Sequence, residues 1–303
     1  MILITGASGF IGGVLSDYLE QEGLKIRRAS KKKLNKKYFQ LDLKNSNEIE
    51  AACKGVNTVI HLASLDHAQS ERNLLEAKEI NFHSTVRLYE EAVKNKASRF
   101  IYFSTAHVYG KNLKNIVNEK TKPEPLSNYA ITHYMAEEYL LKNAEKNETE
   151  VIVLRLSNIV GNPDNKNLKT WKYVANDLCI QAYKDKKIEL ISKGFQKRDF
   201  YSLENLLFTI KNIIKSKNKK LINEVFNLGE GKSISIIDLA KIIKVEYKLI
   251  TNSEINIHSG DKDELSNELD YQVNKIKATE TYCSDISINI SIRNILNYYK
   301  NNF

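Results

Sequence analysis

Residues 2–21 constrain the fold more than any other stretch of this chain. Ile2-Leu3-Ile4-Thr5 is an apolar run of strand length, Gly6-Ala7-Ser8-Gly9-Phe10-Ile11-Gly12-Gly13 follows directly, and Leu15 and Leu19 then recur at helical spacing. A strand that passes through glycines into a helix lets backbone approach a ligand closely and turns helix N–H groups toward a pyrophosphate. A purely structural tight turn uses the same residues, so the remainder of the chain has to decide between the two.

Further along, Lys25 to Ala29, Val56 to Leu62, Arg99 to Phe103 and Val151 to Leu156 read as strands, with a helical segment from Phe82 to Val93. Such alternation predicts an α/β fold, a Rossmann-type doubly wound parallel sheet. Ser157 to Pro163 ends the regular rhythm. Beyond it, helices are expected at Trp171 to Tyr183, Leu203 to Ile214 and Ile236 to Ile243, and short strands at Ile188 to Ile191 and Val225 to Leu228. Residues 1–160 are therefore expected to form an NAD(P)-binding domain. Residues 161–303 are expected to be mainly a smaller mixed α/β substrate-binding lobe, with some segments returning to the first domain.

Composition removes several classes. At 303 residues the chain supports a sizeable core, and 3 prolines with 12 glycines rule out collagen-like or linker-like chain. Cys53, Cys179 and Cys283 lie far apart, without metal-ligand spacing, so neither a disulfide scaffold nor a zinc site is expected. The net charge of +9 is spread among interleaved acids, and no basic–aromatic or helix-turn-helix element accompanies it, so no nucleic-acid partner is expected. No apolar run reaches the roughly 20 residues of a membrane span, and the glycine motif begins where a signal peptide would lie. No membrane association and a cytoplasmic location are the expectations.

The end of the second strand carries no carboxylate to hold the ribose hydroxyls of NAD. Arg27, Arg28, Lys31, Lys32 and Lys33 cluster there instead. Basic groups suit a 2′-phosphate, so NADP(H) is favoured and NAD(H) stays open, the alternative being a solvated lysine cluster. Asp42-Leu43 follows, either toward adenine or as a cap, and His61-Leu62-Ala63 ends the third strand beside the expected cofactor.

Several segments together resemble the extended short-chain dehydrogenase/reductase family, in its nucleotide-sugar epimerase, dehydratase and ketoreductase branch. They are Thr5 to Gly12, Phe103-Ser-Thr105-Ala-His107-Val-Tyr109-Gly110, Tyr129-Ala-Ile-Thr-His133, Leu154 to Asn158, Arg198-Asp199-Phe200 and Asn227-Leu228-Gly229. The resemblance covers about residues 1–245. It implies cofactor contacts from Gly6, Gly9, Phe10, Ile11, Gly12, Lys31, Asp42, Leu43, Leu62, Ala63, Tyr129 and His133. It also implies substrate contacts from Thr105, His107, Asn158 and Arg198, and a homodimer. Thr105, Tyr129 and His133 fall on the catalytic positions, but the family's Tyr-x-x-x-Lys element here ends in His133.

Tyr129 and His133 stand four apart, so a helix presents both on one face. A phenol with an ordinary pKa near 10 exchanges a proton with a sugar oxygen more readily beside a cation. Histidine supplies that cation only when protonated, which leaves catalysis, binding without turnover and simple packing all open for His133. Where family dehydratases carry Asp-Glu after the catalytic hydroxyl, this chain has Ala106-His107. The combined expectation is NADP(H)-dependent reduction of a 4-keto group on a nucleotide-linked deoxysugar, Tyr129 acting as acid and Thr105 orienting the oxygen. The alternatives are an NAD-dependent nucleotide-sugar 4-epimerase and a catalytically impaired nucleotide-sugar or cofactor-binding homologue.

Overall fold

A computed structural model describes residues 1–32, 35–162, 173–262 and 268–302. Lys33, Pro163 and Trp171, which figure in the sequence reading, lie outside the described residues. The chain divides into two compact units. Unit 1 holds residues 1–113, 119–156 and 211–227, and unit 2 holds 114–118, 157–210 and 228–303.

Unit 1 is built on a seven-stranded sheet. Its first five strands in chain order are β1 (Ile2–Thr5), β2 (Ile26–Ser30), β3 (Tyr38–Gln40), β4 (Thr58–His61) and β5 (Arg99–Thr105). Across the sheet the order is Glu224–Leu228, Glu150–Leu156, β5, β4, β1, β2, β3. Every pairing from Glu150–Leu156 through to β3 is parallel. Strand order reverses on either side of β1, which places a topological switch point where β1 and β4 end. All residues of β1, β4 and β5 are buried, as in a sheet covered on both faces.

Helix α1 (Phe10–Gln21) starts as soon as the glycine turn is complete and buries Phe10, Leu15 and Leu19. The expected helix from Phe82 to Val93 differs in detail. Lys78–His83 is a π-helical turn that opens into an α-helix at Ser84–Lys94. A π-turn re-aims the side chains it carries, and here it buries Asn81. Tyr129 and His133 sit near the start of the Asn128–Ala144 helix, which Ser127 caps by accepting the Ala130 N–H.

Unit 2 packs helices Val174–Lys184, Ile236–Thr251 and Ile288–Asn302 around a core that includes Leu178, Ile188, Leu239, Ile243, Ile292 and Ile295. The helix from Ile236 runs eight residues beyond its expected end at Ile243 and stops at Asn252, which adopts a left-handed conformation (φ 55°). Among the described residues no helix is long and apolar enough to cross a membrane.

Candidate active site

At the switch point the glycine turn has little room for side chains. Gly6 has φ +68°, and a Cβ there would stand 2.9 Å from the Ala63 nitrogen; one on Gly12 would stand 2.3 Å from the Gly6 carbonyl oxygen. Gly9 is the N-cap of α1 and offers no capping side chain, and the first turn carries no acidic residue. Phe10 is buried, Ile11 is half-buried, and the N–H groups of this turn suit an anion. A dinucleotide pyrophosphate fits this cradle on both charge and space.

Behind the turn runs a buried chain of hydrogen bonds. Thr5 Oγ1 accepts the backbone N–H groups of Leu62 and Ala63, each at 3.2 Å, which occupies both of its lone pairs. Its proton then goes to His61 Nδ1 at 2.6 Å, His61 Nε2 donates to Thr85 Oγ1 at 2.9 Å, and Thr85 donates to the Asn81 carbonyl at 2.8 Å. The Asn81 amide donates to Thr132 Oγ1 at 3.0 Å, and Thr132 donates to the Asn128 carbonyl at 2.8 Å. His61 is therefore a structural strut, joining the ends of β1 and β4 to the helix that carries Tyr129.

The catalytic candidates in unit 1 lie close together. The rings of Tyr129 and His133 are 4.5 Å apart edge to face, and those of Tyr129 and His107 are 6.5 Å apart. His107 is exposed, and so is His67, whose ring stands 6.1 Å from that of Tyr129. Thr105 ends β5 and accepts the His107 N–H at 3.2 Å, so it serves as an N-cap while still retaining a proton to donate. His133 is buried, and its Nδ1 lies 2.8 Å from the Tyr102 hydroxyl. Its Nε2 is buried and has no hydrogen-bond partner among the described residues.

Electrostatics define what His133 supplies. Burial, followed by the proximity of His107, pushes its pKa down to about 3, and burial does the same to His61. His133 is therefore neutral at physiological pH, and the lysine cation of the resembled family has no counterpart in its charge. One turn further along the helix, Glu137 accepts Arg155 through both carboxylate oxygens, Nη2 on Oε2 at 2.6 Å and Nε shared between Oε2 at 3.1 Å and Oε1 at 3.2 Å, and accepts another hydrogen bond from Ser104. Burial raises the Glu137 carboxyl while Arg155 opposes that rise; burial also works against the Arg155 charge, which Glu137 restores. The forked geometry is that of an ionised pair.

Two buried neutral histidines make folding pH-dependent. In the unfolded chain each takes up a proton below its ordinary pKa of about 6.5, whereas the folded protein does not do so until about 3. Stability contributed by these sites is thus present above pH 6.5 and is lost as the pH falls through that window. The expected slope is about 1.4 kcal/mol per pH unit for each histidine, so roughly 2.7 for the pair. Urea unfolding between pH 6 and 4.5 measures it, and His133→Gln should remove about half of the slope.

The remaining sequence candidates have these environments. Lys31 is exposed and paired with Asp42 at 3.4 Å. Asp42 also accepts the Lys44 N–H at 3.0 Å, which holds its carboxyl below the usual range, with Lys31 adding to the effect. Leu43 is buried, and its carbonyl accepts Arg87. In unit 2, Asn158 donates to the Asp199 carbonyl at 2.8 Å, and Arg198 donates to Gln196 Oε1 at 2.8 and 3.2 Å. The Asp199 carboxylate does not hold Arg198; it accepts the backbone N–H groups of Glu230, Gly231 and Lys232. Tyr102, Asn81 and Glu137 were not singled out in the sequence. The available signal was period: Tyr102 and Ser104 alternate onto one face of β5, and His133 and Glu137 share one helix face.

Comparison with known proteins decides the family, because residues 2–229 match the profile of the NAD dependent epimerase/dehydratase family. The chain belongs to that family. A putative UDP-glucose 4-epimerase of Methanocaldococcus jannaschii is 28% identical over 257 residues, covering 81% of this chain and 82% of that protein. UDP-glucose 4-epimerase of Thermotoga maritima, solved with UDP-glucose, superposes with a TM-score of 0.85 at 22% identity, covering 99% of this chain and 98% of that one. MoeE5 in complex with UDP-glucose and NAD gives 0.83 at 21% identity, with 99% and 98% covered. The expected α/β Rossmann-type fold holds, as does the expected class of NAD(P)-dependent oxidoreductase.

The expectation of NADP(H)-dependent 4-ketoreduction does not hold. The similar curated proteins are epimerases and dehydratases, and NAD predominates in the descriptions of similar solved proteins, with NADPH in RMD from Pseudomonas aeruginosa. The physical reason is that three members of the basic cluster, Arg27, Arg28 and Lys31, are already engaged. Arg28 is buried and bonded to Asp17 and Glu20 on α1, Arg27 donates to the carbonyls of Ala52 and Lys54, and Lys31 faces Asp42. Charges already paired in this way offer little to a 2′-phosphate.

Proposed function

We propose that the protein is an NAD-dependent nucleotide-sugar 4-epimerase. What carries this reading is the grouping of the Tyr129, His133 and His107 rings, with Thr105 capping His107, and Ala106-His107 in the place where dehydratases of the resembled branch carry Asp-Glu. Elimination of water needs a group to take a proton and another to protonate the departing hydroxyl, and no carboxylate pair follows Thr105 to do so.

Gly6, Gly9 and Gly12, with the start of α1, hold the dinucleotide pyrophosphate in this reading. Ser30, which ends β2 and donates to Ser8 at 2.9 Å, stands where a carboxylate would meet the adenosine ribose and offers hydroxyls there instead. Held there, NAD would supply a reversible hydride acceptor for C4 of the sugar. Tyr129 removes the proton of the C4 hydroxyl and later gives it back. Thr105 donates its hydroxyl to the same oxygen, holding it beside Tyr129. Following the family resemblance, Asn158 and Arg198 are assigned to the carrier diphosphate, a role suited to an arginine fork.

Incubation with NAD and a panel of UDP- and dTDP-linked hexoses tests the reading. The expected result is a mixture of C4 epimers with no net change in NADH absorbance. Accumulation of a dehydrated keto sugar, or stoichiometric consumption of NADPH, would replace this function with another.

A further inference from the structure

Lysine brings its own protons to the position occupied by His133, whereas a neutral imidazole has a single N–H whose location must be fixed. We propose that Tyr102 is a positioning residue that holds His133 in the Nε2–H tautomer, so that the imidazole presents a neutral N–H donor to a ribose hydroxyl of the bound dinucleotide. This rests on the cofactor reading above.

Hydrogen-bond accounting carries the argument. Tyr102 is buried, and His133 Nδ1, at 2.8 Å, is the single partner of its hydroxyl among the described residues. If Nδ1 carried the proton, it would donate to the phenol oxygen and the phenol proton would be left buried without an acceptor, which is unfavourable. With Tyr102 donating, both atoms are satisfied and the ring proton moves to Nε2. That nitrogen is buried and has no hydrogen-bond partner among the described residues, whereas the ring's other nitrogen is accounted for by Tyr102. The Tyr102 and His133 rings lie 5.8 Å apart, and Tyr129 packs against His133 from another side at 4.5 Å, so the imidazole has little freedom to turn over. Tyr102 itself remains a neutral phenol, since burial raises its pKa well above the usual value.

The test uses the full-length protein labelled with 15N-histidine. In the ligand-free wild type, long-range proton–nitrogen spectra at pH 7 should show His133 Nε2 protonated and Nδ1 bare. In Tyr102→Phe the two tautomers should mix, NAD affinity should fall about tenfold, as for the loss of one oriented hydrogen bond, and affinity for ADP, which lacks the second ribose, should stay unchanged. A wild-type spectrum with the proton on Nδ1, an unaltered spectrum in Tyr102→Phe, or equal losses for NAD and ADP would overturn the proposal. Because the wild-type spectrum needs no variant, a misfolded Tyr102→Phe does not protect the idea. If the wild type fails to bind NAD at all, the cofactor reading falls with it, and the tautomer is still decided by the ligand-free spectrum.

Discussion

Tyr129→Phe is expected to lower kcat for C4 epimerisation by about 10²–10⁴-fold, the range for loss of a positioned acid–base group, while NAD affinity stays within about twofold. Phenylalanine keeps the ring that packs 4.5 Å from His133 and removes the phenol oxygen to which the proposed reaction assigns proton exchange with the sugar. The fold should be untouched, because the residue's backbone and ring contacts persist. Single-turnover kinetics and calorimetric titration with NAD separate the two effects. A variant that keeps more than about a tenth of wild-type kcat would remove Tyr129 from the acid–base role and pass that role to His67 or His107, the other rings facing the same place.

Glu137→Leu should have the largest effect on stability, a loss of about 3–5 kcal/mol, because it strands a charged guanidinium in the interior. Glu137 and Arg155 have side chains only 1% and 5% exposed, so water cannot replace the lost partner. Arg155 also lies over the Tyr109 ring at 4.8 Å, and Tyr109 in turn donates to Asn227 at 2.7 Å. Replacing both members, Glu137→Leu with Arg155→Met, should recover most of the loss, since an apolar pair of similar volume costs little. Urea midpoints of the two single variants and the double variant complete the cycle. A double variant no more stable than Glu137→Leu would mean that the pair is not the source of the effect. The single variant should also lower turnover, because Glu137 lies one turn from His133 and holds Ser104, the neighbour of Thr105.

The parts of this molecule written in local order were legible in its sequence. The strand–glycine–helix start, the four-residue spacing of Tyr129 and His133, and the segment ending at Thr105 each depend on neighbours in the chain, and each was read from them. What depended on distant partners was not. Arg27 and Arg28 looked like a phosphate site because Asp17 and Glu20 are across the α1–β2 turn, and the carbonyls that Arg27 meets belong to residues 51–54. Tyr102 reads as one more apolar residue of β5 until the fold brings it to His133. Ile288–Asn302 is hard to recognise as a helix from the sequence because asparagine, tyrosine and lysine dilute its pattern. Its buried stripe of Ile292, Ile295, Leu296 and Tyr299 nevertheless has helical spacing.

Neutral His133 bears on how fast such an enzyme can run. A cation near a phenol favours its ionised form, and this chain supplies a neutral donor where its relatives in the resembled branch place lysine. In the proposed reaction, Tyr129 therefore works without a permanent positive charge at the His133 position. The arrangement is compatible with turnover, provided the hydrogen bonds around His133 orient the reacting groups.

The most direct measurement of the central claim follows hydrogen at C4. A nucleotide-linked hexose deuterated at C4 is incubated with the protein and NAD in ordinary water, and the products are read by NMR and mass spectrometry. The account predicts a C4 epimer that retains the deuterium at C4, with no solvent hydrogen entering C5 and no loss of water. Loss of the label from C4, exchange at C5, a dehydrated product, or no epimer with any carrier in the panel would contradict it.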